Sequence, residues 1–198
     1  MKKTKLSLVG LAVLLLGGTS MYAQSWRGGG SVTLDKKYAG YHCVHLLDST
    51  SVTVEPTGQG SFAVCRAVQV QTPVGALQQR VLKYDYDPLT AAAVFKRGTI
   101  YHSDGTYTPV DVSKTCDYAA PARAIYWGAR QIMLELGQLE PWDIIDYEID
   151  KKGFTYALLG DMPQEGDEYR YIPPMRGQFY YIVPFWSSDP TLRKVYRV

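Results

Sequence analysis

Three histidines and three cysteines are the side chains of this 198-residue chain best suited to nucleophilic or metal chemistry, and His42, Cys43 and His45 stand almost together. Alternation along a strand would put Cys43 and His45 on one face. A closed zinc site needs about four ligands, and no second cluster of suitable spacing follows, so no metal is expected. Cys43 and His45 could also form a thiol–imidazole pair, but one strand face supplies no evident third group to orient the ring. Ordinary strand residues are the simpler reading, and no catalytic residue is assigned. Cys43, Cys65 and Cys116 form an odd set, which allows one disulfide at most. Cys43 and Cys65 look like a pair, yet the register derived below sets Ser51 opposite Cys65, so buried free thiols are expected.

Carboxylates and aromatics offer two further candidates. Asp146, Glu148 and Asp150 alternate along one strand, with Glu135 expected opposite Asp146. Such a row suggests a calcium site or a carboxylate pair for acid–base work. A solvated sheet face whose side chains splay apart is the reading preferred, because like charges directly across a strand pair repel. Among 16 tyrosines and four tryptophans, Tyr180, Tyr181, Phe185 and Trp186 are the candidate binding residues for a sugar or peptide groove. Tyrosine is also a good strand former, and core packing explains most of that run. No P-loop, dinucleotide fingerprint or Gly-x-Ser-x-Gly elbow occurs, and no cofactor is expected.

The elements that must carry these residues are strands. Gln131 to Lys151 reads as two strands joined by a turn, with Ile132, Leu134 and Leu136 on one face and Ile145, Tyr147 and Ile149 on the other strand's face. Pairing Leu136 with Ile145 also pairs Leu134 with Tyr147 and Ile132 with Ile149, so one register buries all six. Upstream, Pro56 to Gly60 is a turn cluster. Pairing Val54 with Phe62 aligns Val52 with Val64 and Leu46 with Val70. Thr72 to Ala76, with Pro73 and Gly75, ends that unit.

Arg80 to Tyr86 is the next strand, with Leu82, Tyr84 and Tyr86 on one side, and Asp87 to Thr90 a turn. Ala92 to His102 resumes; adjacent Lys96 and Arg97 point to an edge strand or a bulge. Ser103-Asp104-Gly105-Thr106 is a hairpin signal, and Tyr107 to Val112 returns. Ser113 to Gly128 reads as irregular, with a short helical turn near Ala122 to Trp127. Met162 to Arg176 is a polar loop, Gln178 to Trp186 a well-covered strand, and Leu192 to Val198 one more strand. The fold class is all-β, an antiparallel β-sandwich, preceded by a cleaved N-terminal signal helix.

That signal occupies residues 1–23. Lys2, Lys3 and Lys5 form a basic start, Leu6 to Leu16 an apolar stretch of 11 residues, and Gly17 to Ala23 a small-residue exit. The stretch is shorter than the ~20 residues that span a bilayer. Cleavage after Ala23 leaves Gln24 as the mature start, and no nearby cysteine can accept a lipid. Removing the three leader lysines leaves 18 basic against 19 acidic residues, net −1 rather than +2. A nucleic-acid footprint is therefore not supported. Residues 24–40, with Gly28-Gly29-Gly30, read as a flexible lead-in, and 41–198 as the sandwich. A periplasmic or secreted location follows, with no membrane association after cleavage.

From about Leu46 to Val198 the chain resembles the domain of unknown function 3857, the module found ahead of transglutaminase-like cores in exported bacterial proteins. The residues that carry the likeness are Tyr84-Asp85-Tyr86-Asp87-Pro88, Ser103-Asp104-Gly105-Thr106, Val110-Asp111-Val112-Ser113 and Leu139-Glu140-Pro141-Trp142-Asp143-Ile144-Ile145-Asp146-Tyr147-Glu148. The resemblance implies an antiparallel sandwich and an accessory role in the cell envelope, beside a transglutaminase-like core or another envelope protein. Where that family has glycine, this chain has Trp142, which argues for a type I turn rather than type II. The core with its Cys, His and Asp would follow Val198, so the sandwich is expected to be truncated at its C-terminal end. None of the three cysteines matches that nucleophile. The expected function is a non-catalytic accessory module; the alternative is a stand-alone glycan- or peptide-binding sandwich.

Overall fold

The computed structural model describes residues 32–34, 36–120, 128–154, 179 and 181–198. The leader, the helical turn expected at 122–127, the loop at 162–176 and Tyr180 lie outside the described residues. Within them, nine strands and one α-helix follow in the order β1 (Cys43–Val54), β2 (Gly60–Val70), α1 (Pro73–Gln79), β3 (Val81–Tyr86), β4 (Ala91–Tyr101), β5 (Tyr107–Pro109), β6 (Cys116–Ala119), β7 (Arg130–Glu135), β8 (Ile144–Gly153) and β9 (Lys194–Arg197), with short 3-10 turns at Lys36–Tyr38 and Val112–Lys114. Two sheets result, ordered β5-β4-β8-β2-β1-β9 and β3-β7-β6. All pairings are antiparallel except β1 with β9. The expected sandwich is the observed architecture.

The sheets meet through one apolar cluster. The six-stranded sheet contributes Val52, Phe62, Val64, Val68, Phe95, Ile100, Ile145, Tyr147 and Ile149; the three-stranded sheet contributes Leu82, Ile132 and Leu134. Here the expected 131–151 hairpin fails. Both strands exist and both apolar faces are buried, but β7 pairs with β3 and β6 while β8 pairs with β2 and β4. Residues 136–143 carry the chain from one sheet to the other, so the two faces look at each other across the core. Glu135 accordingly does not oppose Asp146, whose neighbours in register are Ala67 and Thr99.

The β1–β2 hairpin is present in a different register. Val52 faces Phe62 and Val54 faces Gly60, two residues tighter than expected, and Ser49 rather than Ser51 lies opposite Cys65. The turn closes between Glu55 and Gln59, whose carbonyl accepts from the Glu55 N–H at 2.8 Å. A bulge between His45 and Leu47 then inverts the faces. Cys43 therefore joins the inter-sheet core, while Val44 and Leu46 turn outward into a second cluster with Ala67 and Ile144. Leu46 does not share the face of Val52. Two residues of the expected flexible lead-in, Val32 and Leu34, pack on this second cluster.

Lys96 and Arg97 sit at a bulge between Phe95 and Arg97, and the turns at Asp87–Thr90 and Ser103–Thr106 close as expected. Two elements were not anticipated. Helix α1 starts on Thr72, whose Oγ1 accepts from the Gly75 N–H at 3.1 Å, with Pro73 in the first turn. Strand β6 occupies part of the stretch read as irregular. The Gln178–Trp186 strand is overturned within the described residues: 181–187 belong to no strand, and Ile182, Phe185 and Trp186 are exposed. Backbone groups there do not enter a ladder, because β9 and not this run takes the edge of β1.

Candidate functional site

The aromatic run divides. Tyr181 lies against the sandwich, 42% exposed, stacked on Tyr196 with ring centroids 5.5 Å apart and set beside Phe62 at 5.9 Å. Phe185 and Trp186 turn outward and are 74% and 84% exposed. Lys194 Nζ lies 6.0 Å from the Phe185 ring. The segment is thus anchored at Tyr181 and presents Ile182, Phe185 and Trp186 to solvent.

Beneath the anchor lies a charged group on the inner side of β1 and β2. Asp48 Oδ2 is 3.0 Å from Lys194 Nζ, and Oδ1 is 3.5 Å from Arg66 Nε. Burial pushes the Asp48 carboxyl up, but Lys194 and Arg66 outweigh it and hold the group below its ordinary value. His45 is pulled down, first by burial and then by Arg66. Burial, and secondarily Tyr181, pushes Tyr84 and Tyr196 up to about 12.

Cys43 and His45 do share a strand face, yet the thiol is a poor nucleophile. Burial, with Asp189 adding to it, pushes Cys43 up to about 11, so almost no thiolate exists at neutral pH. No disulfide joins the three cysteines; Cys43 is buried, Cys65 half-buried and Cys116 exposed. No group of three or more His, Cys, Asp or Glu able to hold a metal occurs among the described residues.

The acidic row on β8 is neutralised by the bulge of β4. Arg97 Nη1 reaches Asp146 Oδ2 at 3.1 Å and Arg97 Nε reaches Glu148 Oε2 at 2.9 Å, while Lys96 Nζ lies 3.3 Å from both Glu148 and Asp150. One inserted residue lets two consecutive cations face the same row. The adjacent charges that looked awkward in the sequence are the partners of the carboxylates.

One arrangement escaped the sequence reading altogether. Asp143, buried, lies 3.1 Å through Oδ1 from His102 Nδ1, and His102 Nε2 lies 2.9 Å from Thr108 Oγ1. A carboxylate can only accept, so Nδ1 donates to it. The order hydroxyl–imidazole–carboxylate is that of a nucleophilic relay, but Asp143 Oδ2 also accepts from the Glu140 N–H at 2.9 Å. The group therefore clamps the β4–β5 turn to the 140–143 turn. His102 is 59 residues from Cys43 and 41 from Asp143 in sequence, and only the fold brings it to its partner.

The 140–143 turn corrects the expectation for Trp142. Its φ is 77°, the left-handed value of a type II turn. The Asp143 N–H closes the turn on Glu140 O at 3.2 Å, and the Trp142 N–H donates to Val70 O at 2.7 Å. The side chain stays 46% exposed and borders a groove of about 650 Å³ with Thr33, Leu34, Lys36, Gln71 and Ser103.

Residues 56–198 match the family described as a Domain of Unknown Function (DUF3857). No curated protein matches the chain. Among solved structures, a candidate protease from Parabacteroides distasonis is similar at 14% identity and a TM-score of 0.49, over 59% of this chain and 24% of that one. The CBM3a-L domain with flanking linkers, from scaffoldin cipA of the Clostridium thermocellum cellulosome, is similar at 15% identity and a TM-score of 0.37, over 57% and 68%. The chain thus spans 24% of the length of the first of these proteins.

Proposed function

The chain belongs to the DUF3857 family, and from that premise we propose that it is an exported, non-catalytic accessory module that packs on a transglutaminase-like enzyme core or presents a partner to it. The observation that carries this reading is the 181–186 segment. Ile182, Phe185 and Trp186 expose large apolar side chains in sequence neighbours, on a backbone outside any strand. Apolar surface grouped in this way marks an interaction site rather than ordinary scatter. Tyr181 fixes the segment to the sandwich, so its outward face is held ready and little ordering entropy is lost on docking.

The raised Cys43 thiol and the salt-bridged carboxylates of β8 also favour a supporting role, since neither is poised to transfer a group or a proton. The test is to titrate the purified chain against a transglutaminase-like core from the same genome by calorimetry. A one-to-one complex is expected, and the double variant Phe185→Ser, Trp186→Ser should weaken it at least tenfold without altering the melting temperature. No complex with any such core would overturn the reading. So would hydrolysis of acyl esters by the chain itself that disappears in His102→Gln.

A further inference from the structure

We propose that the groove beside Trp142 is a saccharide site that takes a carboxylate-bearing pyranose unit, with the indole as its platform. This inference does not rest on the accessory reading, and none of its residues belongs to the 181–186 segment. Its starting point is a backbone cost that the turn's bonds impose and that the half-exposed side chain does not recover by burial. A bulky side chain at positive φ is a true outlier in backbone statistics, and such strain persists where the surroundings over-determine it, often at ligand sites. Trp142 is held there by its own N–H on Val70 O and by Asp143, clamped to His102. Yet the indole is 46% exposed, so core burial rewards only about half of it. What the strained backbone achieves is to aim that ring at the groove.

The groove is preformed by three fixed segments. Gln69 holds the lead-in by two bonds to Val32, accepting its N–H at 2.8 Å and donating to its carbonyl at 3.0 Å. Gln71 donates to the carbonyls of Tyr38 at 3.0 Å and Tyr41 at 3.1 Å. The His102–Asp143 bond fixes Ser103 and Trp142, their chain neighbours, which complete the lining. The volume of about 650 Å³ falls in the range of small-molecule sites.

The lining selects the chemistry. Trp142 and Leu34 give an apolar surface that fits the C–H face of a pyranose ring. Thr33 and Ser103 offer hydroxyls, and Gln71, with its amide NH2 already engaged, offers Oε1 as an acceptor for a sugar hydroxyl. Lys36 is the one charged side chain among the described residues of the lining, and it favours a carboxylate. An apolar peptide side chain would leave these polar groups without partners, which is unfavourable.

The experiment uses calorimetry with oligogalacturonate and hyaluronan oligosaccharides, and with the carboxyl-reduced form of each. At least one acidic oligosaccharide should bind, at least tenfold more tightly than its reduced form. Trp142→Gly should lose that binding at least tenfold, while its melting temperature rises by a few degrees because the strain is relieved; loss of binding then cannot be loss of fold. Lys36→Gln should bring the acidic and reduced forms within twofold of each other. No binding of any of these sugars, binding unchanged in Trp142→Gly, or equal affinity of wild type for acidic and reduced forms would each overturn the proposal.

Discussion

Trp142 shows how a single residue can resist the rule that its type suggests. Tryptophan disfavours the left-handed region, so the sequence points to a type I turn, but the turn is decided by its bonds. The Trp142 N–H must reach Val70 O and the Asp143 side chain must bond both Glu140 N and His102. Strain of this kind costs about 1–3 kcal/mol, and glycine returns part of the gain through its larger unfolded-state entropy. Trp142→Gly should therefore stabilise the chain by about 1 kcal/mol, read as a higher urea midpoint at unchanged m-value. His45 carries a second prediction at this scale. Burial and Arg66 lower its folded value below 6.5, with Asp189 and Asp48 opposing and Lys194 adding to the shift. The neutral ring is thus favoured in the fold. Its contribution is complete above the unfolded pKa near 6.5 and is lost as pH falls through the lower folded value. Urea unfolding at pH 7.5 and 5.0 should show a decline that His45→Gln reduces; an equal decline in both proteins would assign it to other groups.

At the scale of elements, alternation reveals which side chains are buried but not what they are buried against. Ile132 and Leu134 had to leave water, and so did Ile145, Tyr147 and Ile149. Pairing β7 with β8 side by side and stacking them across a core satisfy that pattern equally well. The distinguishing signal was the connection: residues 136–143 exceed the two to five residues of most hairpin loops. They contain Gly137 at φ 84° and a buried Leu139, features of a crossing between layers. The register of β1 and β2 missed by two because a five-residue turn and a seven-residue one bury the same face. Helix α1 was legible in Thr72-Pro73, a cap followed by proline at the first position, and was lost because seven residues show little period. That helix also makes the sharpest steric demand in the fold. A Cβ on Gly75 would lie 2.2 Å from His42 O and 2.9 Å from Cys43 Sγ. Gly75→Ala should cost about 1–3 kcal/mol, as overpacking does, despite alanine's better helix propensity. Leu77→Ala, at a position 72% exposed, should stay within about 0.5 kcal/mol. Equal melting temperatures for the two variants would mean that α1 does not sit against β1.

Across the whole molecule, stability and availability are distributed along the same sheet. Strand β8 lies between β2 and β4, with Ile145 and Ile149 fully buried on one side and the Arg97 ladder covering the other. Strands β5 and β6 are exposed at every position, and β9 adds only four residues in parallel to the edge of β1. Amide exchange should follow this order. Amides of β2 and β8 should exchange only through global unfolding, and those of β5 and β6 through local opening. Strand β9 belongs between them, and its position has a functional consequence. It carries Tyr196, on which Tyr181 stacks, so opening of β9 loosens the outward-facing Phe185 and Trp186 while the sandwich persists. A partner seated on 181–186 binds only the closed form and should slow exchange in β9 while leaving β8 unchanged, since ligand linkage acts on the opening it opposes. Exchange measured with and without an enzyme core decides the matter. Uniform protection across β8 and β9 would show that β9 opens only with the rest of the fold, and the segment would then be a rigid face rather than a releasable one.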